Sequence, residues 1–307
     1  MFTTLSGQDV SRYSFGCMQF GGGADEAESG AMYAACRDAG INFFDTAFGY
    51  TDGRSETYLG RLIAKEREDV FVATKCAYTG AQPEAIHAQI AESRKRLGID
   101  VIDLLYLHHW DKETPLEESL AALAGPVSDG TVRYVGVSNY SSWQVMKARY
   151  EARALGFDIT FLQPMYNLVK RQVEVELLPM AISEGFAVCP YSPLGGGLLT
   201  GKYAAGGTGR LVDDERYSVR YAPEWMAQSA ADLVDVAKEM NIAPATLAVA
   251  WVARHAGIFG PIISGRSVEQ LQPSLAAMSF EMDDALYARL SELSPTPPPA
   301  TDRLEEV

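Results

Sequence analysis

Little in this chain points to a metal site, a disulfide framework or a membrane. Its four cysteines, Cys17, Cys36, Cys76 and Cys189, stand far apart and form no C-x-x-C pair, so cross-links and zinc knuckles are not expected. The four histidines join no carboxylate or cysteine in a ligand cluster of metal-binding spacing. Basic residues are scarce: 26 Lys and Arg face 40 Asp and Glu, for a net charge of −14 and a pI of about 4.8. Such a surface repels phosphate backbones and anionic lipid, which argues against nucleic-acid and membrane partners. No apolar run is long enough to cross a bilayer, and MFTTLSGQDVSRYSF holds no basic stretch followed by an apolar one. The expected compartment is the cytoplasm. Also missing is G-x-G-x-x-G behind a first strand. FGGGADEAESG does not fit that spacing and reads as a flexible turn over Gly21 to Gly23; GGGLLTG places its last glycine one residue late and lies far down the chain. The doubly wound dinucleotide fold thereby loses its main sequence mark.

What the chain does have is a rhythm. With 47% hydrophobic residues it can bury a large core. Short runs rich in β-branched and aromatic residues alternate with stretches of helical period: YSFGCM (13–18), NFFDTA (42–47), VFVATKC (70–76), VIDLLYLHH (101–109), VRYVGVSN (132–139), FLQPMYN (161–167), FAVCPYSP (186–193) and GPIISG (260–265). Helices are expected over EAESGAMYAACRDAG, SETYLGRLIAKE, QPEAIHAQIAESRKRLG and VEVELLPMAISEG, several stopping on glycine. Eight such strands predict a (β/α)8 TIM barrel, α/β in class, forming a single domain over 1–307. A long Gly-rich connection (194–225) follows the seventh strand, an extra helix (APATLAVAWVARHAG) precedes the eighth, and the Pro-rich tail SPTPPPATDRLEEV runs extended.

A barrel would gather Asp45, Lys75 and His108, each near the end of a successive strand, at its C-terminal mouth, where barrel enzymes do chemistry. Strand alternation puts Lys75 on one face with Ala73 and Phe71, and His108 with Tyr106 and Leu104. The loop after Asp45 then carries Tyr50 over the same opening. A phenol titrates near pH 10, too high for ready acid-base work, and a neighbouring ammonium is expected to lower it. Asp45 would keep Lys75 charged and aimed, and a histidine could hydrogen-bond a substrate oxygen. The set suits protonation of a carbonyl oxygen while hydride arrives at carbon. His109 falls on the opposite strand face from His108, and His87 and His255 sit in helical stretches as ordinary packed or solvated residues.

GINFFDTAFGY, VFVATKC, IDLLYLHHWD, VRYVGVSNY, FLQPMYN, YSPLGGGLLTGKY and IISGRSVEQL follow the order and spacing of the aldo-keto reductases, which the chain resembles from about Phe15 to Met278. The resemblance implies a barrel that binds NADP(H), or else NAD(H), extended across the mouth, with Asp45, Tyr50, Lys75 and His108 as the catalytic tetrad. It implies further that Ser138, Asn139 and Gln163 hold the nicotinamide carboxamide, and that Tyr191 stacks on the ring. Ser192, Leu194, Gly195, Gly197 and Lys202 would line the diphosphate path. Gly265, Arg266 and Gln270 would take the adenosine end, with Arg266 on the 2′-phosphate. Ser274, beside Pro273, stands where many relatives carry an acidic residue and Asn that grip adenine.

The expected activity is NADP(H)-dependent reduction of aldehydes or ketones to alcohols, with a small carbonyl compound or sugar as partner. Two alternatives share the barrel: an NAD(P)-dependent aldose or alcohol dehydrogenase, and a non-enzymatic redox sensor resembling potassium channel β-subunits. Met18, Phe20, Phe48, Tyr78 and Trp110 are expected around the opening.

Overall fold

The computed structural model describes residues 2–306. Eight strands, β1 (Ser14–Gly16), β2 (Phe43–Asp45), β3 (Phe71–Cys76), β4 (Ile102–Leu107), β5 (Val132–Ser138), β6 (Ile159–Gln163), β7 (Ala187–Val188) and β8 (Ile262–Ile263), form one sheet. They pair in parallel in the order β7-β6-β5-β4-β3-β2-β1-β8. Backbone bonds from Phe259 N to Val188 O (2.9 Å) and from Ile262 N to Pro190 O (2.9 Å) join the two ends and close the (β/α)8 barrel.

The strands read as continuous apolar runs because both their faces are covered. Phe43, Phe71, Leu104, Tyr106, Phe161 and Ile262 point inward and fill the barrel. Phe44, Val72, Leu105 and Leu107 point outward and pack under the helices. An antiparallel bridge between Thr3 and Asp9 carries Phe2 and Val10 into the inner cluster from below, Phe2 lying 4.2 Å from Phe161 between ring centres. The sequence reading assigned nothing to this plug.

Helices form where period and caps agree. Asp25 caps Glu26–Asp38 by accepting from Glu28 N (2.9 Å), and Pro83–Leu97 starts on proline and ends on Gly98 at φ 65°. Several expected boundaries move: most strands are shorter than their apolar runs, β7 shrinking from 186–193 to Ala187–Val188. β6 starts at Ile159 rather than 161 and stops at Gln163, since Pro164 has no N–H to continue the ladder. The helix expected over 173–185 spans only Leu177–Glu184, after a 3-10 turn at Gln172–Glu174. Starting there leaves Pro179 in the first turn, where its missing N–H has no intrahelical partner to lose.

The connection after β7 holds a 3-10 segment (Gly195–Thr200) and helices Arg210–Asp213, Glu215–Arg220 and Glu224–Met240 before the expected extra helix, Pro244–Arg254. Residues 295–303 carry no helix or strand. Among the described residues no helix is long and apolar enough to cross a membrane, and no group of three His, Cys, Asp or Glu could hold a metal ion.

Candidate active site

Strand register builds the site. Asp45 pairs with Ala73 and Lys75 with Tyr106, so Lys75 stands one inward-facing step above Asp45. Its ammonium reaches back and donates to Asp45 Oδ1 and to Thr46 O, the latter at 2.7 Å. Lys75 and Asp45 are 1% and 3% exposed, so this ion pair sits beneath the mouth, out of water. Gln163 Nε2, at the end of β6, donates to the other carboxylate oxygen at 2.8 Å.

Burial alone would strip the charge from Lys75. Asp45 and Tyr50 together outweigh it, and the ammonium is held above its usual value. Asp45 is pushed above the usual carboxylate range by burial, against Lys75 and Gln163, which both favour its charged form.

Tyr50 opens a 3-10 turn in the loop after β2, and Lys75 Nζ lies 5.0 Å from its ring centre. Here the outcome differs from the expectation. Burial raises the phenol further than Lys75 lowers it, so the resting group is the neutral phenol. His108 follows β4 directly, its ring edge-on to Tyr50 at 5.8 Å and tilted against Tyr78 at 5.2 Å. Its Nδ1 is buried without a hydrogen-bond partner, and burial, with help from Lys75 and His109, holds its pKa down at about 3. His109 turns the other way, its Nδ1 3.3 Å from Trp110 O, beside a cavity shared with Ala81, Leu116 and Tyr140.

A polar chain leads on around the mouth. Tyr191 donates to Asn139 Oδ1 (2.7 Å), Asn139 Nδ2 to His108 O (3.0 Å) and Ser138 Oγ (3.0 Å), and Ser138 Oγ to Gln163 O (2.9 Å). Asn139 (φ 61°) and Ser192 (φ 58°) hold left-handed backbone, a conformation costly for residues with a side chain and typical of ligand sites. Gly195, Gly196 and Gly197 follow at φ 58°, 68° and 95°, a turn of bare backbone overlain by Lys202. Beyond it Arg266, exposed, directs Nε to Gln19 Oε1 (3.3 Å), and its own N–H meets Gln270 Oε1 (3.2 Å). Gly265 precedes it, partly exposed.

Not every expected residue faces the opening. Ser274 is fully buried, its hydroxyl unpartnered, and Phe20 packs inward on Phe15 at 5.6 Å. Phe48 lies under the Arg96 guanidinium at 4.6 Å, while Tyr78 is 49% exposed and Trp110 packs against Tyr140 and Trp143. The sequence reading missed Gln19, whose neighbouring glycines had been taken as a turn only, and Tyr217, which the long connection brings toward Tyr50.

A closed parallel barrel with Asp, Lys, Tyr and His converging on its C-terminal mouth is the architecture of a barrel enzyme. The profile of the Aldo/keto reductase family matches residues 12–295, and the chain belongs to that family. It is 32% identical to an uncharacterized oxidoreductase, YrpG, of Bacillus subtilis over 95% of this chain and 94% of that one. It is 34% identical to a probable voltage-gated potassium channel subunit beta of Oryza sativa, over 89% of each. With aflatoxin B1 aldehyde reductase member 2 of Homo sapiens the identity is 35%, over 85% of this chain and 80% of the relative.

Proposed function

We propose that the protein is an NADP(H)-preferring reductase of aldehydes or ketones in which Tyr50 is the general acid. The observation that carries this is the buried Lys75–Asp45 pair beneath the ring of a neutral Tyr50, with neutral His108 beside it.

A nicotinamide, when bound, would supply hydride for the carbonyl carbon. Everything else falls to the chain. His108, unable to charge at ordinary pH, offers an N–H to the carbonyl oxygen and orients it. As negative charge grows on that oxygen, Tyr50 gives up its proton, and the fixed Lys75 ammonium stabilises the phenolate left behind. Asp45 and Gln163 keep Lys75 from swinging away. The single-domain organisation over 1–307 is part of the same reading.

The mouth fits a dinucleotide. Gly196 and Gly197, partly exposed, would offer backbone to an anion, with Lys202 above, while Gly195 is buried beneath Tyr221 and Ser192 and Leu194 flank the turn. Asn139 and Ser138 stand ready for a carboxamide, and Gln163, its Nε2 committed to Asp45, would offer its Oε1. Tyr191 would stack on the ring, and Gly265, Arg266 and Gln270 would hold the adenosine end. Ser274 would take part only if its cover moved.

Tyr50→Phe tests the reading: turnover with NADPH and an aldehyde panel should fall by at least about 10²-fold while NADPH still binds by fluorescence titration. Undiminished turnover would remove Tyr50 from the role. The likeness to the rice channel subunit favours a second reading, a redox-sensing regulator with the same site. Turnover of any aldehyde in the panel by wild type at enzymatic rates speaks for the first, and its absence for the second.

A further inference from the structure

Although this chain carries an excess of acids, four cations near the mouth have no acid partner among the described residues: Lys170 in the connection after β6, and Lys202, Arg210 and Arg220 in the connection after β7. Their neighbour Arg216, in contrast, pairs with Asp214 at 2.8 Å.

Two guanidiniums approach the Tyr217 ring, Arg210 at 5.2 Å and Arg220 at 5.0 Å from its centre, and its hydroxyl accepts from Arg210 at 3.1 Å. Lys170 Nζ lies 5.5 Å from the Tyr221 ring, whose hydroxyl accepts from Asn167 (3.2 Å). Both rings are seated on the glycine turn: a Cβ on Gly196 would stand 2.9 Å from Tyr217 Cδ1, and one on Gly195 3.4 Å from Tyr221 Cε1. Arg210, Arg220 and Lys170 thus lie against aromatic rings packed on this turn.

Arg210 and Arg220 share the Tyr217 ring, and the cations differ in what else surrounds them. Lys202 lies over Gly197 and Gly209, on the diphosphate path, and Arg210 opens the helix just after Gly209. Arg220, over the Tyr217 ring, immediately precedes Tyr221, whose ring carries Lys170 and whose hydroxyl shares Asn167 Nδ2 with Ser192 O, next to Tyr191. Lys170, half-buried, is held below the usual lysine value by burial and by Arg220. Two like charges kept together without an acid between them disfavour each other, and an anion placed between them relieves that cost.

We propose that Arg220 and Lys170 form a subsite for an anionic group, a carboxylate or a phosphate, carried by the carbonyl substrate. The proposal rests on the reductase reading of the site and names its substrate class.

Matched pairs test it: 4-carboxybenzaldehyde against methyl 4-formylbenzoate, and glyceraldehyde 3-phosphate against glyceraldehyde. Wild type should favour the charged member of at least one pair by about tenfold or more, through KM, and added salt should erode the preference. The pair with the larger ratio tells carboxylate from phosphate. Arg220→Gln should abolish the ratio, Lys170→Gln should reduce it, and Arg220→Lys should keep part of it, all with NADPH affinity retained.

Equal efficiency for charged and neutral members in wild type overturns the proposal. So does an Arg220→Gln variant that loses NADPH affinity while keeping the preference, since the arginine would then serve the cofactor's diphosphate. If no aldehyde is turned over, the reductase reading fails by itself, and calorimetry with benzoate and inorganic phosphate decides the subsite: binding lost in Arg220→Gln supports it, and no binding to wild type sinks it.

Discussion

Burial weighs on the titratable groups at the mouth, and in His108 it prevails over any charged form. Unfolded, its imidazole titrates near 6.5; folded, burial holds it at about 3. Between those values the unfolded chain binds a proton that the folded chain refuses, so the folded state is progressively penalised as the medium is acidified. The stability tied to a neutral His108 is therefore complete above about pH 6.5 and is lost as pH falls toward about 3. Urea midpoints measured across this window should fall less steeply for His108→Gln than for wild type; parallel curves would mean that His108 charges freely in the folded protein. Lys75→Met acts on the same cluster from the other side. It removes the ammonium that would stabilise a Tyr50 phenolate in the proposed reaction and leaves Asp45, 3% exposed, with Gln163 as its remaining side-chain partner. Breaking a buried pair this way costs about 3–5 kcal/mol, which denaturant unfolding should register along with loss of turnover.

The loop that presents Tyr50 is held by the helices around it. Thr51, Asp52 and Gly53 follow Tyr50 at φ 49°, 55° and 85°, so two residues with side chains sit in left-handed backbone at a cost of roughly 1 kcal/mol or more each. Arg96, from helix Pro83–Leu97, offsets that strain. It donates to Phe48 O (3.0 Å), covers the Phe48 ring, and pairs at 3.3 Å with Glu56, whose side chain is fully buried. Glu56 in turn accepts from Thr74 Oγ1 at 2.6 Å, the residue just before Lys75. Arg96 thus ties the loop of the phenol to the strand of the lysine. Arg96→Ala should lower kcat by up to about 10²-fold while NADPH affinity is kept, and guanidinium in the buffer should restore part of the rate. A loss that guanidinium does not touch would reduce Arg96 to general support. None of this was legible beforehand, because Arg96 and Glu56 are far apart in the chain and each looks like an ordinary helix-surface charge. Asp45, Lys75 and His108 were legible for the opposite reason: a polar residue ending an apolar strand run has no packing explanation. The strands themselves could be read because both their faces are buried, whereas Phe2 and Val10, in a short irregular segment, carry no period that announces a plug.

Barrel closure brings the two ends of the sheet together, and in the proposed reading the cofactor preference rests on what meets there. β1 pairs with β8, so the loop after β1 faces the loop after β8, and Gln19 reaches Arg266 across 247 positions of sequence. The approach is close: a Cβ on Gly23 would stand 3.2 Å from Arg266 Nε. Glycine there is thus a condition for seating the guanidinium, a role that the reading of Gly21 to Gly23 as a flexible turn did not include. If Arg266 grips a 2′-phosphate, its charge-assisted contacts have no counterpart with NADH. Arg266→Ala should then weaken NADPH by about 10- to 150-fold, the range for hydrogen bonds to charged groups, and leave NADH nearly unchanged. Gln19→Ala should weaken NADPH less and in the same selective sense, since it frees the arginine without removing it. Gly23→Ala should resemble Gln19→Ala, because the added methyl crowds the same contact. Ser274 is expected to contribute little: with the side chain fully buried, Ser274→Ala should shift neither nucleotide. Fluorescence titrations of both nucleotides against the four variants decide the matter, and an equal loss of NADH and NADPH in Arg266→Ala would move the arginine off the phosphate and favour the NAD-dependent dehydrogenase.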